Sequence, residues 1–155
     1  YRLRPHNWSS SYTWLADRDR EATLRICPTV TIGGRDPARQ YNIEYRAADA
    51  TANPYLSLAA IVRAGLEGIK ADLGSPPLVT GDPEQMSEAE KAKLGLKRLP
   101  ETLPAALDAF LADRTVTGWF APAFVETFIG VKRHEAEQLA NHDPAAICDL
   151  YGKLY

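Results

Sequence analysis

The chain has 155 residues, of which 45% are hydrophobic and 25% are charged. This length and composition are typical of one soluble globular domain with a single core. The formal net charge of -2 at pH 7 provides no bulk attraction to nucleic acid or to anionic membranes, so we expect neither as a partner.

The cysteines and the first residues indicate the cellular compartment of the protein and whether the chain is a fragment. Cys27 and Cys148 lie far apart, without CxxC or Cys/His spacing, which argues against a zinc site or a disulfide framework and predicts reduced core thiols in a cytoplasmic protein. No apolar run reaches membrane-spanning length, and the start lacks the apolar stretch of a signal peptide. Because the chain begins at Tyr1 rather than at a Met, we expect residues 1–155 to be a fragment of a longer domain.

A short β-hairpin is predicted in the first half. Residues 1–20 follow neither a period of two nor one of 3.6, which indicates a structured loop. Residues 22–32 are rich in β-branched side chains and end at two glycines, which predicts a strand and a turn, with Pro28 as an interruption. A second strand is predicted at about 40–47, with one apolar and one charged face. Its alternating residues are Tyr41, Ile43 and Tyr45 on one side and Asn42, Glu44 and Arg46 on the other.

Helices are predicted in the second half. Asn53 and Pro54 open a long helix whose wide apolar stripe predicts burial on most of its circumference. Residues 73–86 hold three prolines and two glycines, which favours an exposed loop. Ser87 and Glu90 have capping-box spacing for a short helix. Three more helices are expected at about 102–112, 120–140 and 144–152, the last with Asp143 as its N-cap.

The overall prediction is therefore an α+β fold, an antiparallel β-hairpin region followed by a helical C-terminal half. Two groups of side chains in that half receive structural interpretations. Aromatic residues at helical spacing are predicted to form core, and basic residues after the short helix's start are predicted to form a solvated face. These sets are Trp119, Phe120, Phe124 and Phe128, and Lys91, Lys93, Lys97 and Arg98.

The first fifty residues contain eight arginines and no lysine. The rigid guanidinium fork binds carboxylates and phosphates and stays charged when partly buried. Glu44 and Arg46 point to one face of the second strand, and an antiparallel neighbour brings Arg25 beside them. Two interpretations remain open on spacing alone: a metal-binding carboxylate among anion-binding groups, or a solvated cross-strand salt bridge.

Two stretches resemble one family. Residues 20–26 resemble its Asn-Arg-Ser/Glu-Ala segment that ends in arginine. Residues 44–60 and 64–69 resemble the glutamine synthetase signature ExRxxDxxANPYLxxAA followed by AGLxGI. Weaker similarity continues through the helical tail. The chain thus resembles the C-terminal portion of a glutamine-synthetase-type catalytic domain.

The resemblance implies an ATP-dependent ligase that joins the γ-carboxylate of glutamate to ammonia or an organic amine through a γ-glutamyl phosphate. By the same resemblance Glu44 would bind Mg²⁺ or Mn²⁺, and Arg46 and Arg2 would bind glutamate. Arg20 and Arg25 would bind the nucleotide and phosphate, with Arg20 also acting catalytically on the transferring phosphoryl group. Members of the family form rings of identical subunits, so a homo-oligomeric ring is expected for the full-length protein.

Three positions depart from the family pattern. Asn42 stands where many glutamine synthetases have an arginine that contacts the nucleotide, and Asp19 replaces an asparagine. Trp8 stands where the family has a glutamate that helps to deprotonate ammonium. Residues 5–8 instead resemble the divergent branch that contains γ-glutamylpolyamine ligases and FluG-type proteins, so ammonia is not established as the substrate. Two interpretations of Trp8 remain open: it favours an organic amine as nucleophile, or it packs the loop against Trp14.

The alternative function is a non-catalytic module, in which the same arginines brace a subunit contact in a scaffold. The family's metal-binding glutamates would lie upstream of this chain, and their presence or absence separates the two possibilities. Because one carboxylate cannot hold Mg²⁺ and the ATP phosphates productively, we expect residues 1–155 alone to be inactive.

Overall fold

A computed structural model describes residues 7, 9–49 and 51–154. They form two compact units. The first, here called the sheet unit, combines the described residues up to 49 with residues 74–99. The second, the helical unit, combines residues 51–73 and 100–154. Within the described part of the chain, no helix is long and apolar enough to cross a membrane.

A three-stranded sheet with strand order β1–β2–β3 organises the sheet unit. β1 (Leu15–Asp17) pairs in parallel with β2 (Leu24–Ile26), and β2 pairs antiparallel with β3 (Ile43–Tyr45). The antiparallel pair confirms the predicted hairpin, although both strands are shorter than predicted. The interpretation of residues 1–20 as loop was wrong for β1, because a three-residue strand is too short to show a period in the sequence.

The connection between β2 and β3 is held by local hydrogen bonds rather than by a longer ladder. The amide side chain of Gln40 accepts from the Val30 main-chain nitrogen and donates to the Val30 carbonyl oxygen, at 3.0 and 2.9 Å. Two 3-10 helices, Ile32–Gly34 and Pro37–Gln40, occupy the connection. Gly33 has a φ of 73°, a conformation that glycine adopts without steric cost.

The core of the sheet unit lies between β1 and the segment 78–96. Val79 is 3% exposed, and its main-chain nitrogen donates to the carbonyl oxygen of Leu15 at 2.9 Å. The interpretation of residues 73–86 as an exposed loop was therefore wrong around this position, because a bridge to β1 draws the segment inward. The buried cluster consists of Tyr12, Trp14, Ala16, Ala22 and Val79, with Met86, Leu94 and Leu96 packed against it.

Hydrogen bonds to Tyr12 connect the short helix α2 (Glu88–Leu94) to the core of the same unit. The Tyr12 hydroxyl accepts from Lys91 Nζ at 3.2 Å and from Arg98 Nη1 at 3.1 Å. Lys91, at 8% exposed, is buried, so its assignment to a solvated face was wrong. Its aliphatic stem packs inward while the ammonium group also donates to Glu88 at 2.9 Å.

In the helical unit, α1 (Pro54–Lys70) begins at the predicted cap. The Asn53 side chain accepts from the main-chain nitrogens of the first turn. No α1 residue is buried, so the prediction of burial on most of its circumference was wrong. The stripe is present, but none of its residues is fully buried within the described part of the chain, and Leu56 and Ala60 are half-buried. Its exposed apolar members are Tyr55, Leu58, Ile61, Val62, Leu66 and Ile69.

The other helices confirm the predicted positions. They are α3 (Leu103–Ala112), α4 (Arg114–Thr117), α5 (Pro122–Leu139) and α6 (Pro144–Leu154), of which only the single-turn α4 was not predicted. The Asp143 carboxylate accepts from two main-chain nitrogens at the start of α6, as its cap position predicts. Ring contacts among Phe110, Phe120, Phe124 and Phe128 join α3 to α5. The assignment of four aromatic residues to the core was nonetheless wrong, because Trp119, Phe120 and Phe128 are half-buried and Phe124 is exposed.

Candidate functional site

The hairpin brings the predicted charged residues onto one face of the sheet. Arg25 lies directly opposite Glu44 in the β2–β3 register. The Arg46 main-chain nitrogen donates to the Thr23 carbonyl oxygen at 2.8 Å, which extends the same register by two residues. Because side chains alternate along a strand, the Arg25, Glu44 and Arg46 side chains all project from this face.

The Glu44 carboxylate is shared between two guanidinium groups. Its Oε2 atom accepts from Arg25 Nη1 at 3.1 Å and from Arg46 Nη1 at 2.9 Å. The exposed fractions of the three side chains are 11% for Arg25, 23% for Arg46 and 42% for Glu44. The carboxylate is therefore open to a ligand on one side, while the arginines that hold it are mostly covered.

Main-chain carbonyl groups anchor both arginines. Arg25 Nε donates to the carbonyl oxygen of Arg18 at 3.0 Å, and Arg46 Nε donates to that of Arg20 at 2.7 Å. Arg18 has a φ of 63°, in the left-handed region, which costs a non-glycine residue about 1 to 2 kcal/mol. The turn between β1 and β2 therefore contains one residue in an unfavourable backbone conformation. In that turn the carbonyl groups of Arg18 and Arg20 accept hydrogen bonds from the two guanidinium groups.

These contacts determine the charge state of Glu44. The hydrogen bond from Arg25, followed by that from Arg46 and a smaller contribution from the Cys27 side chain, holds the pKa of the Glu44 carboxyl below its usual range. Glu44 is consequently an anion at neutral pH. An ionised, half-exposed carboxylate is the state in which a glutamate ligates a divalent cation.

The donor set within the described residues fits one position of a magnesium coordination shell. Glu44 supplies a hard, ionised oxygen ligand, as Mg²⁺ prefers, but Mg²⁺ takes about six ligands in octahedral geometry. Across residues 7, 9–49 and 51–154 no group of three or more His, Cys, Asp or Glu side chains could hold a metal ion. The other oxygen ligands of such a shell would have to be water, substrate phosphates or carboxylates that are not in this part of the chain.

The remaining predicted residues fall into two groups. Arg20 is exposed and lies beside the cluster through its main-chain contact with Arg46. Arg2, predicted to bind glutamate, and Trp8, on which the predicted amine preference rests, lie outside the described residues. The structure brings together Glu44, Arg25 and Arg46 and places Arg20 next to them.

The structure also accounts for the local effect of two departures from the family pattern. The Asp19 carboxylate accepts from the Glu21 main-chain nitrogen at 2.8 Å, a turn contact that asparagine makes equally well. The Asn42 side chain donates to the carbonyl oxygen of Gln40 at 2.9 Å, so it stabilises the strand start. Asp19 therefore keeps the shape of the turn, whereas Asn42 lacks the charge of an arginine.

Cys27 is the neighbour of Glu44 that sequence reasoning missed. The structure corrects the assignment of both cysteines to the core, because Cys27 is half-buried and Cys148 is exposed. The Cys27 side chain projects from the same face as Glu44 and helps to hold the pKa of that carboxyl below its usual range. The signal was available in the spacing, because Cys27 follows Arg25 by two residues and so shares its face of the strand.

Comparison with known proteins identifies one family. The model of the glutamine synthetase catalytic domain matches residues 1–149. The gamma-glutamylpolyamine synthetase GlnA3 of Streptomyces coelicolor is 37% identical over 154 residues, which cover 99% of this chain and 32% of that protein. The glutamine synthetase of Methanocaldococcus jannaschii is 35% identical over 120 residues, which cover 77% of this chain and 25% of that protein.

A solved structure shares the fold. The crystal structure of a novel glutamine synthase homolog superposes with a TM-score of 0.78 at 38% sequence identity. The match covers 99% of this chain and 32% of that one. The α+β architecture, a small sheet followed by helices, is confirmed by this likeness. The chain spans about a third of the length of this structure and of GlnA3.

Proposed function

This chain belongs to the glutamine synthetase catalytic-domain family, and from that premise we propose that the full-length protein is an ATP-dependent ligase that joins the γ-carboxylate of glutamate to an amine. One observation carries the proposal. The Glu44 carboxylate and two anchored guanidinium groups share one face of the hairpin, in the family's Glu-x-Arg motif. A solvated surface salt bridge, the alternative from the sequence, does not require two mostly covered arginines with main-chain anchors.

The proposed reaction has two steps. The γ-phosphoryl group of ATP is transferred to the γ-carboxylate of glutamate, which releases ADP. The amine then attacks the acyl phosphate, which forms the amide bond and releases inorganic phosphate and a proton. When bound, Mg²⁺ or Mn²⁺ supplies a positive charge that neutralises the phosphate oxygens. Glu44 is proposed as one of its ligands. Its lowered pKa supports this role, because the carboxylate needs no deprotonation before it binds a cation.

The arginines are proposed to bind the anionic substrates. Arg46, less covered than Arg25, would bind a carboxylate of glutamate, and Arg2 would add a second guanidinium group. Arg25 and Arg20 would bind the nucleotide phosphates, and Arg20 would stabilise the transferring phosphoryl group. Guanidinium groups that are already held need little reorganisation when negative charge develops beside them, which is how such groups lower a barrier.

The rest of the site is proposed to come from the remainder of a longer catalytic domain, of which residues 1–155 are the C-terminal portion. The single ionised carboxylate of the cluster and the third of the relatives' length that this chain spans both support this arrangement. We expect the chain by itself to form no γ-glutamyl product. A homo-oligomeric ring in the cytoplasm is part of the same proposal.

An organic amine is the proposed nucleophile. Ammonium needs a base to accept its proton, and tryptophan at position 8, where the family has a glutamate, offers none. An indole instead binds an alkylammonium group by cation–π contact and covers apolar area. The name of GlnA3, a gamma-glutamylpolyamine synthetase, gives independent support.

Phosphate release by the full-length protein tests both parts of the proposal. The assay contains glutamate, ATP, Mg²⁺ or Mn²⁺, and in turn ammonia, polyamines, and alkyl or aryl amines. We expect amine-dependent release that is faster with an organic amine than with ammonia. If ammonia is the best nucleophile, the amine preference is wrong. If no amine supports release, the ligase is wrong and the non-catalytic scaffold is favoured.

A further inference from the structure

Helix α1 presents its large apolar side chains on one exposed face. They follow one another at intervals of three or four residues, which places them on the same side of the helix. Each is between 41% and 85% exposed within the described residues. In a folded domain such a face normally lies against a core. It is called the α1 stripe below and consists of Tyr55, Leu58, Ile61, Val62, Leu66 and Ile69.

A separate face of α1 is charged and suited to water. The Glu67 carboxylate pairs with Arg63 Nε at 3.1 Å and with Lys70 Nζ at 3.3 Å. These side chains lie three and four residues apart, as ion pairs on the solvent side of a helix do. The helix thus already has a side for solvent, and the α1 stripe is the side that fits a partner.

Gly65 is a second, independent sign of a partner. It lies within the α1 stripe, one turn from both Ile61 and Ile69. Glycine destabilises a helix interior relative to alanine, and a Cβ atom added at this position would meet nothing within 4 Å. No contact among the described residues therefore explains the missing side chain. A glycine on an apolar helix face lets another main chain approach closely.

The length of the relatives points to the occupant. The match with GlnA3 covers 99% of this chain but only 32% of that protein, so about two thirds of GlnA3 have no counterpart in residues 1–155. The partner that the α1 stripe needs is apolar and closely packed, which is the chemistry of a domain core.

We propose that the α1 stripe packs against the part of the same polypeptide outside residues 1–155, and that Gly65 is the point of closest approach. The inference rests on the proposed function, in which these residues are a portion of a longer catalytic domain. The partner surface is an apolar helix or strand of that domain, and the Arg63–Glu67–Lys70 side of α1 stays in water.

Two neighbouring positions on α1 test whether the stripe is covered. Val62 is 52% exposed and the Arg63 side chain is 50% exposed, so residues 1–155 alone cover them equally. In the full-length protein, peptide mass spectrometry follows the reaction of N-ethylmaleimide with Val62→Cys and with Arg63→Cys. We expect the cysteine at position 62 to react at least about 10-fold more slowly, because a closely packed partner excludes the reagent. Equal rates overturn the proposal.

The close approach at Gly65 has a matched control in α5. A Cβ atom added at Gly130 would also meet nothing within 4 Å, but the residues one turn away are the exposed Glu126 and His134. In the full-length protein Gly65→Ala should lower the Tm by at least about 2 °C, because the added methyl group meets the partner. Gly130→Ala should leave the Tm unchanged or raise it. A rise in both variants contradicts the close approach.

A photocrosslink identifies the occupant. The photoreactive residue p-benzoylphenylalanine replaces Tyr55, an aromatic side chain of the stripe that is 85% exposed. In the full-length protein we expect a crosslink that leaves the subunit monomeric on a denaturing gel, joined to a peptide outside residues 1–155. A crosslinked dimer would show that a second copy covers the stripe, and a crosslink within residues 1–155 would show that this chain does. Either result overturns the proposal.

The two proposals fail in different ways. If the cysteine at position 62 is protected and the crosslink is as expected, but no amine supports phosphate release, the packing stands and the ligase is wrong. If release is normal and the two cysteines react at equal rates, the ligase stands and the packing is wrong.

Discussion

The sheet unit and the helical unit each contain an arginine–carboxylate ion pair, but the two pairs differ in solvent exposure. In the sheet unit Glu44 lies between two arginines whose side chains are 11% and 23% exposed. In the helical unit Asp108 meets Arg133 at 3.2 Å, but these side chains are 71% and 52% exposed. Exposed pairs are screened by water and contribute little. The distances are similar, so it is the covering and anchoring of the arginines that mark Glu44 as a candidate site.

The two units also differ in which polar and apolar side chains are buried. Buried polar groups in the sheet unit are hydrogen-bonded, as Lys91 and Tyr12 show. Most large apolar side chains on α1, in the helical unit, are exposed among the described residues. A charged residue such as Lys91 is thus buried where it has hydrogen-bond partners, whereas an apolar residue such as Ile69 is exposed where nothing in the described part of the chain packs against it. Paired variants in the two units test this difference.

The largest expected effect is the loss of activity in Glu44→Ala. In the full-length protein we expect amine-dependent phosphate release to fall by more than about 100-fold, since loss of a metal ligand exceeds the effect of losing one of its hydrogen-bond partners. Asp108→Ala removes the exposed carboxylate of the helical unit and should leave activity unchanged. Circular dichroism checks that both variants fold. An active Glu44→Ala enzyme would return Glu44 to a structural salt bridge.

A smaller effect is expected for Arg46→Lys, which keeps the charge but loses the guanidinium fork. We expect the KM for glutamate to rise about 10-fold, which corresponds to about 1.4 kcal/mol of lost hydrogen bonding to a charged group. Arg133→Lys is the matched change in the exposed pair and should not alter the KM. An unchanged KM in Arg46→Lys would argue against a carboxylate bound by both branches of the fork.

Tyr12 and Tyr151, the tyrosines that are buried among the described residues, allow a comparison of their contributions to stability. Tyr12→Phe removes the hydroxyl that accepts from both Lys91 and Arg98, and we expect a loss of about 1 to 2 kcal/mol in the free energy of unfolding. Tyr151→Phe removes a hydroxyl that contacts Glu135, which keeps its hydrogen bond from Lys132. The loss there should be smaller. Urea unfolding measures both, and an equal or larger loss for Tyr151→Phe would contradict the stronger role of the Tyr12 network.

The smallest effect is expected on the exposed stripe of α1. Ile69 is 79% exposed, so Ile69→Ala should change the unfolding free energy of the 155-residue chain by less than about 0.5 kcal/mol. Ile129, on α5, is 7% exposed, and Ile129→Ala should cost about 2 to 5 kcal/mol. Urea unfolding of the two variants side by side gives the difference. Similar losses at both positions would mean that the α1 stripe is covered.

The sequence predicted much of the local structure, because the deciding signals lie within a few residues of one another. Asn53 and Asp143 cap their helices as predicted, and Ser87 with Glu90 forms the predicted capping box. The hairpin and the face shared by Glu44 and Arg46 followed from the alternation along one strand. In each case the side chain either bonds to main-chain groups a few residues away or lies on a strand face that the alternation of side chains determines.

Only the tertiary structure decided which of these residues are covered and what touches them. Lys91 is buried against Tyr12, which lies 79 residues earlier in the chain, and Cys148 is exposed; no local pattern records either outcome. β1 exists through pairing with β2, and the α1 stripe remains exposed although its periodicity predicts burial. By itself the sequence determined the helix caps, the hairpin, the family and the residue types at the Glu44 site. The anchoring of Arg25 and Arg46 depended on the fold, because a hydrogen bond requires distances and directions that spacing alone does not determine.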